Sequence, residues 1–399
     1  MRASASSVPA LAIVASACGL LAPPGDYAST PPEGAASDGG GAPDVRADAT
    51  VLPDGNVVAP AAGRIAVLAG ERDAAGPDDN PAWTSDCYVA EIDGDGHVAR
   101  WTIDRSAPVI GPFDATAVLS GSWVSLSVGY GISGSRASTV QLVGWSPGPT
   151  GAWRAARANM PGGLDEVTRV FFGAHVAIVG GVRAIPVDGG GSTSAFTDEV
   201  HVADVDVTQG TLGATEDAGT SLAVARSRPG LLVTGDRLYV AGGRTSGAST
   251  TASVEMAPVD AQAGTIGAFA EQPALANDAG EVRVIRPALV AAEGWLFAAG
   301  GAINATGTPS DVVLASKIDP ATGALGPWKG VAPLPRALRD FAFVARGNVL
   351  YVIGGQSGAT RSDDVSSATV GPDGSLSPWN SAGNAKLPAP RSDLVGVVY

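Results

Sequence analysis

Apolar residues in this chain come in short runs, set in pairs that are split by two or three turn-forming residues. The clearest pair runs from Phe341 to Ala345, turns at Arg346-Gly347-Asn348, and returns from Val349 to Ile353, ending on Gly354-Gly355. A polar loop follows, then a third run from Val365 to Val370, a turn at Gly371-Pro372-Asp373-Gly374, and a fourth segment carrying Leu376 and Trp379. Continuous apolar runs this short, bounded by Gly, Pro and Asn, predict buried strands rather than helices. Four of them joined by tight turns predict one antiparallel sheet.

The pattern recurs through the chain. Second runs end at Ala69-Gly70, Gly129-Tyr130, Gly180-Gly181, Gly242-Gly243, Gly300-Gly301 and Gly354-Gly355, so the marks fall 51 to 62 residues apart. That is the period of a four-stranded repeat. A second mark follows in phase: Gly210 to Thr215, Gly264 to Phe269, Gly323 to Trp328 and Gly374 to Trp379 align, and Trp101 and Trp153 hold the same place in the first two units. Gly-Gly at a strand end permits backbone conformations closed to other residues and a close approach of neighbouring chain. The strand-four aromatic offers a large apolar face for packing between adjacent units. The last run, Leu394 to Tyr399, matches a first strand, whereas the first unit opens directly at a second strand, Arg64 to Leu68. The C-terminal strand is therefore expected to complete the first unit, leaving no free sheet edge at the junction.

This pairing of Gly-Gly with a downstream Trp resembles the kelch repeat, over about residues 62 to 399. The resemblance implies an all-β fold, a six-bladed β-propeller of four-stranded antiparallel blades closed by the C-terminal strand. Val200, Val254, Val313 and Val365 stand in the third strands where the repeat usually carries Tyr, and Thr215 replaces the aromatic of the third unit. The expected function is a binding or scaffold module, for a protein or glycan ligand, with no evident catalytic site. The alternative is a saccharide-active enzyme of the six-bladed kelch type, such as a sugar epimerase or mutarotase. Galactose oxidase shares the repeat but needs copper held by histidines and tyrosines near a modified cysteine. Here only His97, His175 and His201 occur, the first two near turns of different units and the third on an outer strand, so neither a metal nor another cofactor is expected.

Ahead of the repeats, residues 1 to 17 carry one basic residue, Arg2, and an apolar stretch from Val8 to Ala17. The stretch is too short to span a bilayer and reads as a cleaved export signal. Ala15-Ser16-Ala17-Cys18 resembles the lipobox of bacterial lipoproteins, which implies a lipidated Cys18 and a place at the outer membrane or cell surface; otherwise the protein is periplasmic or secreted. Residues 18 to 61 are dominated by Ala, Pro, Gly, Ser and Asp and read as a flexible tether, because such a segment buries too little apolar surface to offset its ordering entropy. The net charge of −14, with no Lys/Arg run, argues against nucleic acid as a partner. Membrane contact is expected through the lipid anchor alone, and the folded part is expected to be a monomer. Besides Cys18 there is only Cys87, which reads as a small apolar residue in a strand.

Two patterns bear on chemistry. Asp93-Gly94-Asp95-Gly96 has the look of a calcium loop but lacks the later ligands, and its counterpart Pro372-Asp373-Gly374 is a turn between strands three and four. A turn is the expectation. The second pattern is arginine ahead of strand one. Arg228, Arg286 and Arg339 lie 14 or 15 residues before the first Gly of their units, Arg391 stands ahead of the final strand, and Arg226, Arg283 and Arg336 are close by. In a propeller this places them on the loops that enter strand one, around the mouth of the central channel. Converging guanidinium groups suit carboxylate or sulfate recognition. The competing reading ties each arginine to loop carbonyls or to an adjacent carboxylate such as Asp340 or Asp393. No catalytic residue is assigned.

Overall fold

First and second strands are apolar along their length because both of their faces are covered. Thr168–Phe172 and Ala288–Ala292 are buried at every position, and Gly230–Thr234 and Ala342–Arg346 at all but the last. Third strands turn toward water at their far ends: in Glu199–Asp206, Val200, Ala203 and Val205 are buried while Asp204 and Asp206 face water. The computed structural model describes residues 14–15, 63–68, 70–72, 82–83, 87–104, 113–120, 123–129, 139–145, 153–159, 164–186, 192–206 and 211–398. For 14–15, 71–72, 82–83, 104, 113–120, 123–129, 139–145, 153–159, 184, 186, 192 and 211–212 it describes the backbone alone. The expected signal outside Val14–Ala15, the tether and Cys18 lie outside the described residues.

The protein is all-β. No helix occurs among the described residues, and every pair of strands is antiparallel. The second unit is the regular case, with Phe113–Ser120, Trp123–Gly129, Thr139–Trp145 and Trp153–Asn159 side by side in chain order. The first unit is assembled from both ends of the chain. Val395–Val398 pairs with Gly63–Leu68, Ile65 opposite Val398 and Leu68 opposite Val395, and Cys87–Ile92 and Val98–Asp104 follow. Val14–Ala15 pairs with Ala342–Arg346, the first strand of unit six.

The fourth strands of units five and six are reduced. Unit five keeps Lys329–Gly330 and a bridge from Ile318 to Leu325, and unit six keeps the bridges Val370 to Leu376 and Ser367 to Asn380. Pro327 and Pro378 precede the tryptophans there and remove a ladder N–H. Trp328 and Trp379 still reach the preceding unit, donating indole hydrogen bonds to the carbonyls of Pro273 (2.8 Å) and Ala332 (3.1 Å). Trp101 of unit one does the same toward Ala385 of unit six, at 2.9 Å.

Adjacent sheets are joined by their Gly-Gly pairs. The second glycine donates its amide to a carbonyl ahead of the next unit's first strand: Gly181 to Arg226, Gly243 to Val284, Gly301 to Leu338 and Gly355 to Arg391, at 2.8 to 3.0 Å. The first glycine must be bare for this to happen. At Gly242, φ is +63° and a Cβ would lie 2.4 Å from the Val284 oxygen. First strands neighbour one another in the order Phe113–Ser120, Thr168–Phe172, Gly230–Thr234, Ala288–Ala292, Ala342–Arg346, Val395–Val398, and the last of these lies against the first.

Candidate functional site

Six non-glycine residues have positive φ among the described residues, and five of them stand at one repeated place, just ahead of strand one. Glu166 (+55°), Arg228 (+51°), Arg286 (+50°), Asp340 (+55°) and Asp393 (+54°) belong to five successive units. A left-handed residue bearing a side chain costs about 1 kcal/mol or more and persists where its surroundings over-determine it. Here backbone bonds between units do so. The amide of Arg228 donates to the Glu166 carbonyl (3.1 Å), that of Arg286 to the Arg228 carbonyl (2.9 Å), and that of Asp393 to the Asp340 carbonyl (2.8 Å). The result brings five charged side chains from five units into one neighbourhood.

Those side chains pair across unit boundaries. Arg286 Nη1 lies 3.1 Å from Asp340 Oδ1 and 3.4 Å from Asp393 Oδ1. Arg339 pairs with the other oxygen of Asp340, which is only 5% exposed. Glu166 receives Arg228 (3.3 Å), Arg244 and the Ser227 hydroxyl (2.9 Å). Arg244 also stacks over Phe196, 5.3 Å from the ring centroid. The carboxylates that could tie the arginines down are therefore present, and they include Asp340 and Asp393.

Pairing does not close the site. A cavity of about 60 Å³ is lined by Arg228 and Arg244 of unit four, Ile285, Arg286, Ala302, Asn304, Ala305 and Gly307 of unit five, and Arg339 and Asp340 of unit six. Asn304 stiffens the loop above it, accepting the Thr308 amide (3.1 Å) and the Thr306 hydroxyl (2.8 Å) on Oδ1. Cationic walls next to two shared carboxylates favour an anionic guest.

Three of the four expected arginines, Arg228, Arg286 and Arg339, meet at this cavity. Arg391 does not. It stands two residues ahead of Asp393, as Arg226 stands ahead of Arg228, and it is 1% exposed with its guanidinium 3.8 Å from the centroid of the Tyr88 ring. Arg244 is a wall residue that the sequence reading did not single out, although its place directly after Gly242-Gly243 is a positional signal. The histidines do not converge: His175 pairs with Asp204 (2.8 Å), His201 with Glu199 (2.9 Å), and His97 lies by Asp93. Asp93, Asp95 and His97 bring potential ligand atoms within 4.8 Å of one another. Asp93 Oδ1 accepts the amides of Asp95 (3.0 Å) and His97 (2.8 Å), which makes the segment the turn expected of it. Cys87 is buried in its strand.

No family model matches the sequence, and no curated protein matches it. Among solved structures, one described as "Structure of YjhT" is similar over 71% of this chain and 86% of its own, with 14% sequence identity and a TM-score of 0.49.

Proposed function

We propose that residues 62 to 399 form a six-bladed kelch-type β-propeller acting as a binding module for a small anionic ligand, held at a membrane surface by a lipidated Cys18 and the 18 to 61 tether. The ligand reading is carried by one observation. Arg228, Arg244, Arg286 and Arg339, contributed by three units, line a single cavity in a protein of net charge −14. Glu166, Asp340 and Asp393 offset most of that positive charge and leave a surplus of one at the cavity. The acidic remainder of the surface repels anions that do not find it. Closure into a propeller is supported by the joint between units six and one, where Gly355 and Arg391 repeat the bond that Gly243 and Val284 make inside the array.

A second reading, the sugar epimerase or mutarotase, is favoured by Asp340. It sits nearly buried between Arg286 and Arg339 on the cavity wall, where a carboxylate is placed to exchange a proton with a guest.

Glucuronate titrated into the full chain by calorimetry tests the first reading. Arg286→Gln and Arg339→Gln should each weaken binding by about 1.5 to 3 kcal/mol, the range for hydrogen bonds to charged groups, and leave the melting temperature nearly unchanged. Unaltered binding with a lowered melting temperature would make the arginines structural and end the proposal. For the second reading, anomer exchange of free sugars followed by NMR should accelerate with the protein and lose that acceleration in Asp340→Asn. Exchange at the uncatalysed rate rejects the enzyme.

A further inference from the structure

The cavity exists because of what unit five lacks. In each of units four to six, the residue after Gly-Gly forms a backbone bridge with the residue just ahead of the left-handed position, or next to it. Arg244 bridges Ser227, Ala302 bridges Ile285, and Gln356 bridges Arg339. Unit four thus fills the place with a guanidinium and unit six with an amide, whereas unit five offers only the methyl group of Ala302. Its bridge partner is apolar too, where the neighbouring units carry Ser227 and Arg339. Ile285, Ala302 and Ala305 therefore form an apolar floor under walls of arginine.

The arginines keep donors in reserve. One outer nitrogen of each of Arg228, Arg244 and Arg339 is engaged by Glu166 or Asp340, and the second has no acceptor among the described residues. Donors left over on a cavity wall favour a guest that brings oxygen atoms. The volume of about 60 Å³ has room for roughly four or five water-sized spheres, the bulk of acetate or propionate.

We infer that this cavity takes the carboxylate end of an organic acid together with a short apolar stem, and that Ala302 sets the length of stem admitted. The inference rests on the binding reading above and adds ligand class and a specificity residue to it. The oxygens meet the guanidinium walls, and the stem lies on Ile285 and Ala302. A larger ligand such as a uronic acid inserts only its carboxylate.

The test is a titration of the full chain with acetate, propionate and butyrate, with sulfate as an anion that has no stem, followed by NMR or calorimetry. Propionate should bind more tightly than sulfate. Ala302→Gln, which installs the residue that unit six uses at this place, should weaken propionate by about tenfold or more by filling the floor, with the melting temperature retained. Ala302→Gly should move the preference toward butyrate, and it reports on the floor even where Ala302→Gln folds poorly. Arg339→Gln serves as the control for the binding reading itself. Propionate affinity kept in Ala302→Gln but lost in Arg339→Gln overturns the role of Ala302 and leaves the anion site standing. Affinity kept in both variants overturns both. Sulfate and propionate binding equally, with no response to either Ala302 change, shows an anion site without a stem pocket and overturns the inference.

Discussion

Tyr351 and Gly96 stand 255 positions apart in the chain, and the phenol of the first donates a 2.7 Å hydrogen bond to the carbonyl of the second. Tyr239 makes the same bond to Gly323, at 2.6 Å, between units four and five. Between units five and six the tyrosine's place in strand two is held by Phe297, and Trp295, standing where unit four has Arg237, packs so closely on Gly374 that a Cβ there would lie 2.3 Å from it. The strand-two tyrosine under the neighbour's turn is thus one part used at two joints. Tyr351→Phe leaves the Gly96 carbonyl without its donor and should cost about 1 to 2 kcal/mol in urea unfolding. Adding Tyr239→Phe should roughly double the loss, since the two joints share no partners. A Tyr351→Phe protein as stable as the wild type would remove this bond from the account of the joint.

The same two phenols give an alkaline signature. Burial pushes both up to about 12 from an ordinary value of 10.0. The stabilisation is complete below pH 10, where both folded and unfolded phenols are protonated. Between pH 10 and 12 the unfolded chain sheds protons that the folded protein retains, so stability falls as pH rises, by on the order of 2 kcal/mol for each tyrosine. Urea midpoints from pH 9 to 12 should drop less steeply in the Tyr239→Phe/Tyr351→Phe double variant. Parallel slopes would count against it.

Removal of residues 392 to 399 takes away the strand opposite Gly63–Leu68, including the buried side chains of Val395, Val397 and Val398. Those three alone are worth about 4 kcal/mol of lost burial, and the exposed edge of Gly63–Leu68 invites association with other chains. Calorimetry should show a lower melting temperature for the whole molecule. A truncated chain that melts at the full-length temperature would mean that the C-terminal strand is dispensable.

Arg226 is fully buried and its donors are all engaged. Nε goes to the Val224 carbonyl, Nη1 to those of Gly242 and Ser253, and Nη2 to Ser253 Oγ and to Glu255 Oε1 at 2.5 Å. Arg226→Met strands the Glu255 carboxylate in the interior and should cost about 3 to 5 kcal/mol. Arg226→Lys should rescue little, because an ammonium cannot reproduce a planar five-donor fork. Chemical denaturation of the two variants checks both statements, and recovery of most of the stability by lysine would contradict the second.

For the anchor, Cys18→Ser should move the protein from the membrane fraction to the soluble one on cell fractionation. Membrane association unchanged by that substitution would rule out Cys18 as the lipidated residue.

Strand identity was legible because burial on both faces demands continuous apolar runs, and Phe341 to Ile353 shows that demand without ambiguity. Gly-Gly was legible for a related reason, since an inter-unit amide bond leaves no space for a Cβ at Gly242. Arg391 was grouped with Arg228, Arg286 and Arg339 because a two-residue offset cannot be read without the strand register. Arg244 was passed over because the loop after Gly243 reads as small and polar. The left-handed positions were invisible for a deeper reason. Glu166, Arg228, Arg286, Asp340 and Asp393 have no residue type in common, and what unites them is a backbone angle.

That division of labour between backbone and side chain has a consequence for how such a cavity changes over time. The joining of units at these five positions is performed by amides and carbonyls, so the joint places little demand on what the side chain is. Each position is a socket that accepts a new charge, a neutral group or a glycine without re-engineering the units around it. The charged lining of the cavity can therefore be rewritten one residue at a time while the backbone beneath it stays the same.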